Sequence, residues 1–116
     1  MGKMQRDKGA RFERLLASRF REYGYDASRT AQHCGKTGQA ADVTGPPGIH
    51  IEAKHQEKMQ LYEWMAQAKR DAAAAGENRL PVVCHKKNNA EILVTMGFDD
   101  WMNLYNEWAA GHDLKE

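Results

Sequence analysis

Three residues able to act together on a phosphate ester lie around one short turn: Asp42, Glu52 and Lys54, in the stretch ADVTGPPGIHIEAK over 41–54. Charged residues are depleted from strands, and neighbouring carboxylates repel unless something positive lies between them. In IHIEAK, Ile49, Ile51 and Ala53 alternate with His50, Glu52 and Lys54, which is the period of a half-buried strand. Glu52 and Lys54 therefore project to one side while Ala53 packs inward. A symmetric TGPPG hairpin sets Asp42 opposite His50 and diagonal to Glu52, about 7–8 Å away and within joint reach of one cation. Mg²⁺ takes oxygen ligands and keeps several waters, so one or two carboxylates suffice to hold it. Beside such an ion, Lys54 is placed to orient an attacking water or offset charge developing on a phosphate. Glu13, at the border of a helix's apolar stripe, is placed to reach the sheet edge and support a second ion or its water shell.

These side chains need a scaffold, and the apolar periodicity supplies one. Phe12, Leu15, Leu16, Arg19, Phe20 and Tyr23 follow helical spacing, with Gly24 as the stop and Arg11, Arg14 and Arg21 on the opposite face. Residues 25–30 read as a short strand, and AQHCGKTGQ as a polar loop. Strands over about 40–44 and 48–54 follow. A helix over about 59–75 comes next, with Leu61, Trp64, Met65, Ala68 and Ala72 on one face and Gly76 as its stop. LPVVCHK (80–86) and AEILVTM read as strands joined by a turn at Asn88 and Asn89. A last helix begins near Asp99 and carries Trp101, Leu104, Tyr105 and Trp108. The order α-β-β-β-α-β-β-α predicts an α/β fold, a mixed sheet with helices packed on its faces.

At 116 residues and 13.2 kDa the chain suits one domain, spanning 1–116, with 1–7 expected as a flexible basic tail. A 41% hydrophobic and 28% charged composition excludes wholesale disorder. No apolar run approaches the roughly 20 residues of a membrane span, and the opening MGKMQRDKGARF lacks the apolar core of a secretory leader. Arg6 breaks the myristoylation pattern. Two cysteines make no disulfide framework, so reduced thiols and a cytoplasmic setting are expected. The net charge of +1 conceals an asymmetry. Residues 1–40 carry nine Lys/Arg against four Asp/Glu, whereas residues 41–116 carry eight against twelve. The basic N-terminal third suits a polyanionic partner.

Glu13 in an N-terminal helix, Asp42, and then Glu52-Ala53-Lys54 after a short turn resemble the PD-(D/E)xK nuclease superfamily, and within it the archaeal Holliday junction resolvases and related phage-type endonucleases. KGARFERLL is similar to their start, SRTAQHCGKTGQ occupies the place of their catalytically involved loop, and VVCHKKNNAEILVTMGFDDWMNLY resembles the hairpin and helix that close phage versions. The resemblance covers roughly residues 8–108. It implies a restriction-endonuclease-like fold and a Mg²⁺- or Mn²⁺-dependent DNA endonuclease, with Asp42, Glu52, the Ala53 carbonyl and Glu13 toward metal and Lys54 as the catalytic lysine. It also implies branched DNA as a candidate substrate, a homodimer and a phage origin, and leaves recombination, phage genome processing and restriction open as the process served. Ala41 stands where many members carry proline, and most loop serines of the archaeal resolvases are absent, which weakens the case for strict four-way-junction specificity.

Arg6, Lys8, Arg11, Arg29 and Lys36 are the candidates for DNA-backbone contacts, with Gln67, Lys69 and Arg70 on the second helix as further candidates. Lys86 and Lys87 suit a protected strand end. Gly35-Lys36-Thr37 is not a P-loop, because Thr30 stands where its first glycine belongs. His33-Cys34 and Cys84-His85 lack the usual zinc-ligand spacing, and His50 and His55 are expected at the surface. The Trp101–Trp108 stripe reads as core or dimer interface. The rival readings are a non-catalytic DNA-binding module of the same fold and a protein-interaction domain using the last helix.

Overall fold

The computed structural model describes residues 2–30, 41–76 and 78–114. The elements follow the expected order: α1 (Lys3–Glu22), β1 (Ser28–Arg29), β2 (Val43–Thr44), β3 (Ile49–His55), α2 (Leu61–Ala74), β4 (Leu80–Lys86), β5 (Leu93–Met96) and α3 (Phe98–Gly111). The strands form one mixed sheet in the order β1-β2-β3-β4-β5. β1, β2 and β3 are an antiparallel meander, β3 and β4 are parallel, and β5 returns antiparallel to β4. The parallel pair needs a crossover, which α2 provides. None of the described helices is long and apolar enough to cross a membrane.

β3 is buried on both faces. On one, Ile51 and Ala53 pack with Val82, Cys84 and Val43 beneath Phe12, Leu16 and Ala17 of α1. On the other, Val83 packs against Trp64 and Ala68 of α2. Parallel strands are commonly covered this way. The alternation in IHIEAK thus marks two covered sides, not the half-buried strand expected, and the side carrying Glu52 lies under α2.

α1 also departs from expectation. It begins at Lys3, so residues 3–7 are helical and do not form a separate tail; Lys3, Met4, Gln5 and Arg6 are good helix formers, and Lys3 pairs with Asp7 one turn on at 3.0 Å. Its buried face holds Phe12, Glu13, Leu16 and Ala17, while Leu15 and Tyr23 are exposed. Small Ala17 permits close approach to the sheet, and Glu13 is tolerated there because Arg29 neutralises it. Gly24 ends the helix at φ +92°, where a side chain would be strained. A Cβ at Gly45 in the β2–β3 turn would lie 3.0 Å from the Phe20 ring, which would have to shift to admit it.

Candidate active site

Asp42 and Glu52 are brought together by an irregular join between β2 and β3. The paired register is Val43 with Ile51, so the turn is two residues longer than a symmetric hairpin, and Asp42 is displaced from its expected place opposite His50 toward Glu52. Pro46 and Pro47 explain the longer turn, because neither has an N–H to close a tight ladder. The Asp42 N–H donates to the Ile51 carbonyl at 2.9 Å, and the Ala53 N–H donates to Asp42 Oδ2, also at 2.9 Å. The Asp42 side chain thereby substitutes for a missing strand partner and is held over Glu52-Ala53.

Glu52 is 1% exposed. His50, two residues before it on the same side of β3, has Nε2 3.2 Å from Glu52 Oε1. Asp71, buried on α2, completes a group in which ligand atoms of His50, Glu52 and Asp71 all lie within 4.8 Å of one another. Burial pushes the Glu52 carboxyl up to about 9. The charge of Asp42, a hydrogen bond with it, and the charge of Asp71 act in the same direction, and Lys54 pulls the other way. Half-buried Lys54 lies beside His85 of β4. His85 Nε2 is 2.8 Å from Thr95 Oγ1, its ring rests against Trp64, and its Nδ1 is buried without a hydrogen-bond partner among the described residues. Burial lowers the His85 pKa, which favours the neutral imidazole.

The donor set fits a divalent cation. A buried carboxylate flanked by other carboxylates, as Glu52 is by Asp42 and Asp71, is stabilised in its ionised form by positive charge placed between them. Carboxylate oxygens suit Mg²⁺ or Mn²⁺, and an imidazole is compatible with Mn²⁺.

The remaining expected residues divide. Glu13 is buried on the α1 side, and Arg29 Nε donates to its Oε1 at 2.7 Å, so these two candidates engage each other. Arg6 and Arg11 lie exposed on α1, while Lys8 is half-buried, 3.9 Å from Glu57. Gln67 is half-buried on α2, one turn before Asp71. Lys36, His33 and Cys34 lie outside the described residues. His50 is buried, contrary to the surface position expected, because α2 covers its side of the sheet. His55 keeps a more open place, with Nε2 3.0 Å from Asn88 Oδ1. Cys84 belongs to the α1-side core, where burial pushes its thiol up to about 12. His85 points to the other face, so the pair cannot converge on one zinc ion. Asp71 was not among the expected residues; it falls seven residues after Trp64 and four after Gln67, a spacing that marks the sheet-facing side of α2 but not the proximity of Glu52.

A family model described as "Phage putative PDDEXK endonuclease" matches residues 4–115. No curated protein matches the sequence. Among solved structures the chain is similar to Archaeoglobus fulgidus Hjc, a Holliday junction resolvase from an archaeal hyperthermophile, at 24% identity and a TM-score of 0.57, over 77% of this chain and 72% of that one. That likeness concerns the fold.

Proposed function

The chain belongs to the PDDEXK family of phage endonucleases, and on that premise we propose that it hydrolyses DNA phosphodiester bonds with a divalent metal ion, Mg²⁺ or Mn²⁺. The observation that carries this reading is Glu52, fully buried, pressed between Asp42 and Asp71, with Lys54 following on the same side of its strand. Glu52, Asp71 and Asp42 would hold the ion, and His50 fixes the orientation of Glu52. When bound, a divalent ion supplies positive charge that neutralises a phosphodiester and acidifies water. Among the described residues, Lys54 is the lysine whose charge opposes the burial of Glu52. Its ammonium donates to a phosphate oxygen or to the attacking water, which stabilises charge that grows in the transition state. Asp42 also has a structural part, since by accepting from the Ala53 N–H it sets the backbone that carries Glu52 and Lys54. Glu13, bound to Arg29, fixes α1 against β1, and in this reading it supports the site from that side.

Exposed Arg6 and Arg11, with Lys8, form the basic stretch along which a DNA backbone would run, positioning the substrate without reading its sequence. Gln67 flanks the site from α2, and Lys36 adds charge from the loop sequence before Asp42. The substrate class extends to branched DNA, the substrate of a Holliday junction resolvase such as the similar archaeal protein. A homodimer suits symmetric cutting of two strands, and the setting is the cytoplasm of a bacterial host. The test is cleavage of labelled four-way junction, flap, linear duplex and single-stranded DNA with Mg²⁺, Mn²⁺ or EDTA. Metal-dependent cutting supports the reading, and the preferred substrate separates resolvase from general nuclease. Salt-sensitive binding in EDTA with no cutting in either metal would leave only a DNA-binding module.

A further inference from the structure

Among the described helices, α3 is the one that does not pack along the sheet. Of its residues only Ala109 is buried. Phe98, Trp101, Leu104, Tyr105 and Trp108 are 72%, 48%, 50%, 40% and 52% exposed. The rings of the four aromatic residues and of His112 form a continuous row: Phe98–Trp101 at 6.3 Å, Trp101–Tyr105 at 5.7 Å, Tyr105–Trp108 at 5.8 Å and Trp108–His112 at 4.5 Å between centroids. Helices shorter than about 12–15 residues are marginal in water unless an apolar face is packed. A 14-residue helix with its aromatic face in solvent therefore needs a covering surface.

We propose that this face pairs with the same face of a second copy of the chain, the two α3 helices lying antiparallel about a two-fold axis between Leu104 and Tyr105. The order of the stripe supports self-pairing. Trp101 and Trp108 stand equally far from that midpoint, so in an antiparallel pair the Trp101 of each copy meets the Trp108 of the other, with Leu104 and Tyr105 at the centre. An isologous contact requires this reciprocity. Area supports it as well. Val94 adjoins Phe98 and Trp101 across a shallow recess, and with roughly half of each large side chain open, the six residues offer on the order of 600 Å² per copy. Two copies then bury about 1,200 Å², the lower end of stable interfaces. Charge argues against nucleic acid as the occupant. Residues 98–114 carry Asp99, Asp100, Glu107 and Asp113 and no Lys or Arg, so a polyanion is repelled where a stacking platform would need to attract it.

The inference rests on none of the catalytic residues, and its test needs neither DNA nor metal. Sedimentation equilibrium of the full chain is expected to give twice the 13.2 kDa chain mass. Leu104→Asp and Trp108→Glu, each at a side chain already half in solvent, are expected to keep the wild-type circular dichroism of the folded domain and to weaken dimerisation at least tenfold. Ala110→Lys, exposed and half a turn round α3 from Trp101, is expected to leave the mass unchanged. Leu104→Cys, next to the axis, is expected to cross-link the two copies on mild oxidation. A wild-type monomer at the highest soluble concentration would overturn the proposal, as would a dimer insensitive to both stripe substitutions.

Discussion

Glu52 keeps its proton in the metal-free protein because burial and the charges of Asp42 and Asp71 outweigh the pull of Lys54. Its folded pKa, near 9, lies above the ordinary 4.5. The folded state therefore holds a proton that the unfolded chain releases between those values, and stability falls as pH rises through that window. The loss is at most about 1.4 kcal/mol per pH unit for one proton. Melting temperatures in EDTA are expected to fall from pH 5 to pH 9, and Glu52→Gln is expected to flatten the profile. A divalent ion should displace that proton. Calorimetry of Mn²⁺ binding at pH 7 in buffers of different ionisation enthalpy is then expected to report about one proton released per ion. Arg29→Ala removes a charged hydrogen-bond partner of the buried Glu13 carboxylate and is expected to destabilise the fold by about 1–3 kcal/mol, measured by urea unfolding. The motif residues were legible because strand alternation places Glu52 and Lys54 together whatever covers them. His50 and Asp71 were not read as site residues, since a short alternating strand does not say how many of its faces are covered, and only the packed α2 brings Asp71 to Glu52.

At the scale of elements, periodicity located the helices and longer strands well: β4 runs over the residues expected, Leu80–Lys86, and α2 and α3 lie within a residue or two of theirs. What periodicity could not supply was register and rotation. The β2–β3 pairing slid by two because of backbone chemistry at Pro46 and Pro47, and α1 turned to bury Ala17 in place of Leu15. Phe12, 2% exposed at the centre of the α1 contact, is expected to cost about 3–5 kcal/mol when replaced by Ala, read from the urea midpoint at unchanged slope.

Across the molecule as a whole, the candidate catalytic cluster and the exposed aromatic row occupy different regions. The carboxylates sit where β2, β3 and α2 meet, and the exposed aromatic row lies on α3. The sequence marked that row as core or dimer interface, and the fold removes the first option because α3 does not lie along the sheet. Leu104→Asp is accordingly expected to leave Mn²⁺ binding intact while changing assembly, with both read on the same preparation.

Single-turnover cleavage in Mn²⁺ by wild type, Asp42→Asn and Lys54→Ala, at DNA-saturating protein, probes the catalytic assignment without intermediaries. Both variants are expected to bind DNA and melt close to wild type but to cut at least about 100-fold more slowly, as happens when charge stabilisation is removed from a transition state. Cleavage by both at the wild-type rate would contradict the assignment of this carboxylate and lysine cluster as the catalytic site.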